Sequence, residues 1–112
     1  MVFARNLYAG KVAETIRDRF LAALENGTYQ EGYYIIVLSE TGHDLLEVLP
    51  LVTFQNPVYL QYHDISALRV VGISVTKEEA DQLMKRIVME VYHATGGFDM
   101  EQYFEFDGDQ DA

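Results

Sequence analysis

Leu68-Arg-Val-Val-Gly-Ile-Ser-Val-Thr-Lys-Glu-Glu79 contains both a strand and the start of a helix. Leu68 to Val75 is apolar and β-branched, the composition of a buried strand. Simple alternation places Val71, Ile73 and Val75 on one side and Val70, Gly72 and Ser74 on the other. A glycine inside such a run marks a bulge or a close approach by a packed helix. Thr76-Lys77-Glu78-Glu79 then fits a capping box, in which the threonine hydroxyl serves one free amide and Glu79 reaches back to another. Beyond it, Ala80, Leu83, Met84, Ile87, Val88, Val91 and Ala94 recur at helical spacing, and Asp81, Gln82, Lys85, Arg86 and Met89 lie outside that stripe. Gly96-Gly97 stops the helix.

The rest of the chain arranges itself around this unit. Val12, Ala13, Ile16, Phe20, Ala23 and Leu24 predict a helix from about Ala9 to Glu25, closed by Asn26-Gly27. Tyr33 to Leu38 is six apolar residues without alternation, and apolar character on both faces favours a central position in the sheet. Thr41-Gly42-His43-Asp44 reads as a hairpin loop leading into a strand from Leu45 to Leu49. Pro50 suits an edge position there, because proline offers no ladder donor. Leu51 to Phe54 either continues that strand or turns, and Val58 to Tyr62 is a short strand or a helical turn. Phe98 to Phe106 is too apolar to float free and docks on the body as a short helix or a last strand. The expected fold is α+β: a two-layer sandwich with a mainly antiparallel sheet of 3–5 strands and two long helices on one face.

Charge separates a body from an end. The 112 residues carry a net charge of −10, yet the last fourteen hold six acids and no base. Residues 1–106 are therefore read as a single domain and residues 107–112 as an acidic, frayed tail. With no cysteine, disulfides, thiolate metal sites and cysteine nucleophiles are excluded. The acidic balance argues against nucleic acid or an anionic membrane as a direct partner. No run approaches 18 apolar residues and Met1 to Gly10 lacks a signal peptide's apolar core, so a soluble cytoplasmic chain is expected.

Val71-Gly-Ile-Ser-Val-Thr-Lys-Glu-Glu-Ala, with Glu90-Val-Tyr, Thr95-Gly-Gly-Phe-Asp and Tyr103-Phe104, resembles the C-terminal half of a family of small uncharacterised bacterial proteins. The likeness covers residues 68 to 104 and only loosely the N-terminal helix and hairpin. That family has no assigned activity, so the resemblance implies a fold segment and no catalytic residue.

Two His-Asp pairs, His43-Asp44 and His63-Asp64, supply the residue types that bind a divalent metal, provided the two segments meet. The alternative reading makes them polar turn residues. Asp107-Gly-Asp-Gln-Asp resembles the opening of a calcium loop, but no twelfth-position glutamate follows. No nucleophile elbow or phosphate loop is present, so no catalytic residue and no cofactor is assigned. The favoured function is a non-catalytic protein-interaction domain, self-associating as a homo-oligomer or binding another protein. Met89, Tyr92, Tyr103, Asp107, Asp109 and Asp111 are its interaction candidates. The alternative is a small metal-dependent or ligand-binding enzyme using His43, Asp44, His63 and Asp64. A third reading, an acidic imitator of nucleic acid, needs carboxylates in rows, whereas these are scattered.

Overall fold

The computed structural model describes residues 1–39 and 45–106. Four strands, β1 (Val2–Ala9), β2 (Tyr33–Leu38), β3 (Leu46–Pro50) and β4 (Arg69–Val75), form one mixed sheet in the order β1-β4-β2-β3. β4 runs parallel to β1 and antiparallel to β2, and β2 runs antiparallel to β3. Among the described residues the helices are α1 (Lys11–Thr15), α2 (Arg17–Glu25), α3 (Pro57–Tyr62), α4 (Lys77–Thr95) and α5 (Met100–Tyr103). A 3-10 turn spans Leu51–Gln55 and another Ile65–Ala67. The class is α+β.

The continuous apolar run of β2 does sit centrally, between β4 and β3, and Pro50 does lie on an edge strand. Because β2 is apolar on both faces, both faces need a cover. Ile36 and Leu38 face α4, packing with Leu83, Ile87 and Val91. Ile35 and Val37 point the other way, against Phe20 and Leu24 of α2 and Leu51 and Phe54 of the 3-10 turn. This corrects the two-layer arrangement: the two longest helices lie on opposite faces of the sheet, not on one. Two long helices on one face would leave the other apolar side of β2 bare. The chain closes it with short elements that carry little periodicity of their own.

Gly72 lies where both its anticipated roles apply. Ile36 pairs with Gly72 and Val37 with Val70, so Val71 is an extra residue, a β-bulge. It therefore joins the α4 side, while Val70 and Ile73 share the other, and simple alternation along β4 fails at that point. A Cβ on Gly72 would lie 3.3 Å from both Ile36 Cδ1 and Leu83 Cδ2, so the missing side chain lets α4 approach the sheet.

At the N-terminus the helix expected from Ala9 to Glu25 is divided. Residues 2–9 form the edge strand β1, and helix begins only after Gly10. It breaks at Ile16, whose amide turns back to the Ala13 carbonyl at 3.1 Å and whose φ of −123° leaves the helical region. Helix α4 starts and stops where the capping residues place it. The Glu79 amide donates to Thr76 Oγ1 at 3.2 Å, and Gly96 closes the C-terminus at φ 76°. Leu51–Gln55 is a turn and Pro57–Tyr62 a helix rather than strands; Asn56 caps the latter by accepting from the Val58 amide at 2.9 Å. Phe98 to Phe106 docks as a short helix, α5, followed by a single antiparallel bridge from Phe106 to Ala4 on β1 and, among the described residues, not by a further strand. No helix among the described residues is long and apolar enough to cross a membrane.

Candidate functional site

His43 and Asp44 lie outside the described residues, as do Asp107, Asp109 and Asp111. The other His-Asp pair is engaged locally. The His63 ring stacks on Tyr59 at a centroid distance of 4.2 Å. The Asp64 carboxylate accepts from the Ser66 hydroxyl at 2.6 Å and the Ser66 amide at 3.0 Å, capping the turn 65–67. Those two bonds hold the Asp64 carboxyl below the usual carboxylate range. Among the described residues no three His, Cys, Asp or Glu side chains converge as a metal site.

The topology creates a concave region. β1 and β4 are parallel neighbours, and the helices that follow them diverge to opposite faces of the sheet. Such a divergence opens a crevice at the carboxyl ends of the strands, where open α/β sheets bind ligands. Here the crevice has a volume of about 420 Å³ and is lined by Gly10, Lys11, Val12, Thr76, Glu79 and Arg86 among others. Three amide donors at this end of the strands are taken by Glu79. Glu79 Oε1 accepts from the Val75 amide at 3.2 Å and the Ala13 amide at 3.3 Å, and Oε2 accepts from the Val12 amide at 3.3 Å. The capping box is therefore half formed: the Thr76 amide goes instead to the Gly32 carbonyl at 2.9 Å. Glu79 fastens the start of α1 to the start of α4, and any Cβ on Gly10 would fall on its carboxylate. Thr76 sits at φ 84° and ψ 148°, a region that β-branched residues rarely occupy. The sequence signals the cap, but a contact from Glu79 to residues 66 positions away leaves no trace in local spacing.

Along β1 the crevice continues into a polar cluster. Tyr8 Oη donates to Glu90 Oε1 at 3.1 Å and lies 2.8 Å from Tyr103 Oη, with the Arg86 guanidinium 5.3 Å from the Tyr8 ring centroid. Burial, reinforced by Tyr103 and Glu90, pushes the Tyr8 phenol well above its ordinary value of 10.0. Tyr103, picked from the sequence as an interaction residue, thus turns inward and holds α5 against β1.

Met89 and Tyr92 behave differently. They are 55% and 46% exposed on the outer face of α4, and Phe98, 50% exposed, lies with its ring 5.2 Å from that of Tyr92. Beside them Met84, Lys85, Val88 and Met89 line a shallow apolar depression of about 370 Å³. Met84 and Val88 form its floor, because they also pack on the α4-side core. From Met84 to Tyr92 the strip runs about 12 Å along the helix axis. A second exposed apolar group was missed in the sequence: Val58, Leu60 and Tyr62 are 62%, 42% and 74% exposed on α3, which buries none of its residues. Its signal was available, since Leu51 to Tyr62 contains no charged residue.

No protein family, curated protein or solved structure matches the chain. The resemblance over residues 68 to 104 gains no support from these comparisons.

Proposed function

We propose that this chain is a non-catalytic interaction domain that self-associates through the outer face of α4. One observation carries the reading: Met89, Tyr92 and Phe98 are exposed together beside the apolar floor of Met84 and Val88. Apolar side chains that lie contiguous on a helix, rather than scattered, mark association surfaces in small proteins. The aliphatic stem of Lys85 extends the strip while its ammonium stays in water. Pairing α4 with α4 of a second copy about a twofold axis buries this strip twice, and twofold dimers are the commonest closed assembly.

Two copies each carrying −10 repel, so salt should strengthen this dimer. Binding of a basic partner by the acidic end has the opposite salt dependence. The experiment is sedimentation velocity across a concentration series at low and high salt, on the native chain and on Met89→Glu. The native chain is expected to dimerise at tens of micromolar, and a charge at the centre of the strip should weaken the dimer by at least about tenfold. A native chain that stays monomeric at every concentration and salt overturns the reading, as does a dimer indifferent to Met89→Glu.

A further inference from the structure

We infer that residues 98–106 form an exchangeable arm, and that the groove they occupy accepts the same segment from a second copy. The inference rests on the self-association read from α4 and names how the second copy is held. The arm is attached to its own body as a bound peptide would be. Met100, Phe104 and Phe106 are 5%, 2% and 4% exposed, seated in the α4-side core with Ala4 of β1. Main-chain pairing adds to this: the Arg5 amide donates to the Glu105 carbonyl at 2.8 Å, and Ala4 pairs with Phe106. The helical turn α5 seats Met100, and only the end of the arm, Phe104 to Phe106, is extended. There it meets the sheet edge through backbone bonding and buries Phe104 and Phe106, a short form of the strand-addition mode of peptide recognition. Polar contacts fix the register, with Tyr103 on Tyr8 at 2.8 Å and Arg69 on Glu101 at 2.8 Å.

What joins the arm to α4 is slight by comparison. Gly96 and Gly97 have open space where a Cβ would be, and the turn is held by the Thr95 hydroxyl accepting from the Gly97 amide at 3.2 Å. The contacts that anchor the arm to β1 are the same whichever copy supplies the arm, so exchange sacrifices none of them. The balance is then set by the hinge and by the effective concentration of the tethered arm. Exchange also brings the second copy against the C-terminal half of α4, where Met89, Tyr92 and Phe98 are exposed.

The test uses the absence of native cysteine. Residues 5 and 105 face each other next to the bridged pair Ala4–Phe106, within reach of a disulfide. The full chain carrying Arg5→Cys and Glu105→Cys is refolded over a concentration series, sized by light scattering, oxidised, and run on a denaturing gel. Exchange predicts that the dimer fraction seen by scattering reappears as disulfide-linked dimer. It also predicts that deleting Gly97, which shortens the tether, raises that fraction at least about tenfold. A noncovalent dimer that yields only internally bridged monomer overturns exchange and leaves the α4 contact standing. A monomer at every concentration overturns both.

Discussion

The two faces of the sheet are covered in different ways. On one, the 19-residue helix α4 supplies Leu83, Ile87 and Val91 from a single continuous element. On the other, α2, the 51–55 turn and flanking residues each contribute one or two side chains around Phe20 and Phe54. The comparison shows that a face can be well packed without any one element carrying a long periodic signal. The faces are nonetheless coupled, because neighbouring residues of β2 serve them alternately: Ile35 and Val37 serve one, Ile36 and Leu38 the other. The largest effects test that coupling. Phe20→Ala, at a site with no exposure and stacked on Tyr33 at 4.8 Å, should cost about 3–5 kcal/mol. Ile87→Ala, also fully buried, should cost about 2–5 kcal/mol. Urea unfolding followed by circular dichroism and by tyrosine fluorescence should give one coincident transition in each variant. Separate transitions for the two probes would mean that the patchwork face unfolds on its own.

Glu79 is the point where the two covers meet, since it belongs to α4 and accepts from Val12 and Ala13 of α1. Glu79→Ala strands those amides and that of Val75, and should cost about 1.5–3 kcal/mol, the range for bonds to a charged group. Glu79→Gln should recover part of this, because its amide oxygen still accepts. Gly10 sharpens the assignment. Its φ of −66° suits any residue, so Gly10→Ala carries no backbone penalty and acts only by displacing the carboxylate. In the native chain it should therefore destabilise nearly as much as Glu79→Ala. In the Glu79→Ala background it should be neutral or slightly stabilising, since the less flexible unfolded chain favours folding. Additive effects in this double-mutant cycle would show that Glu79 does not join the covers.

The same contrast explains what was legible in the sequence. Helix α4 could be read in full because the Thr76 cap, the stripe from Ala80 to Val91 and the Gly96 stop agree with one another. The central place of β2 and the edge place of β3 followed from an unbroken apolar run and from Pro50. β1 could not be read, for a physical reason. Its register on β4 shifts between Phe3 and Tyr8, so Arg5 and Asn6 interrupt the pattern a regular strand would show. On the patchwork face each element is too short for a period to establish itself, as in the six residues of α3. Of the interaction candidates, Met89 and Tyr92 were identified as lying off or at the rim of the stripe. The contact of Tyr103 with Tyr8, 95 residues away, leaves no trace in local spacing.

The smallest effect concerns the entry to α4, where the two faces part. Thr76 does two things that oppose each other. Its hydroxyl caps the helix through the Glu79 amide, and its backbone is held at φ 84°, where a β-branched residue is strained by about 1–3 kcal/mol. Glycine is a helix N-cap only a few tenths of a kcal/mol worse than threonine, and it adopts positive φ freely. Thr76→Gly should therefore leave stability unchanged or raise it by up to about 1 kcal/mol, after allowing for the greater entropy of the unfolded glycine chain. Thr76→Ala removes the cap and keeps the strained backbone, so it should lose about 1 kcal/mol. Thermal unfolding of both variants beside the native chain separates the terms. A glycine variant that melts below the native protein by about 1 kcal/mol or more, the whole worth of a cap, would show that the hydroxyl outweighs the strain. One that melts below the alanine variant would show that the strain is smaller than the entropy cost of glycine. The Thr76 amide, bonded to the Gly32 carbonyl at 2.9 Å, is retained in both substitutions. That bond ties the loop before β2 to the start of α4, so neither change should loosen the join between the two faces.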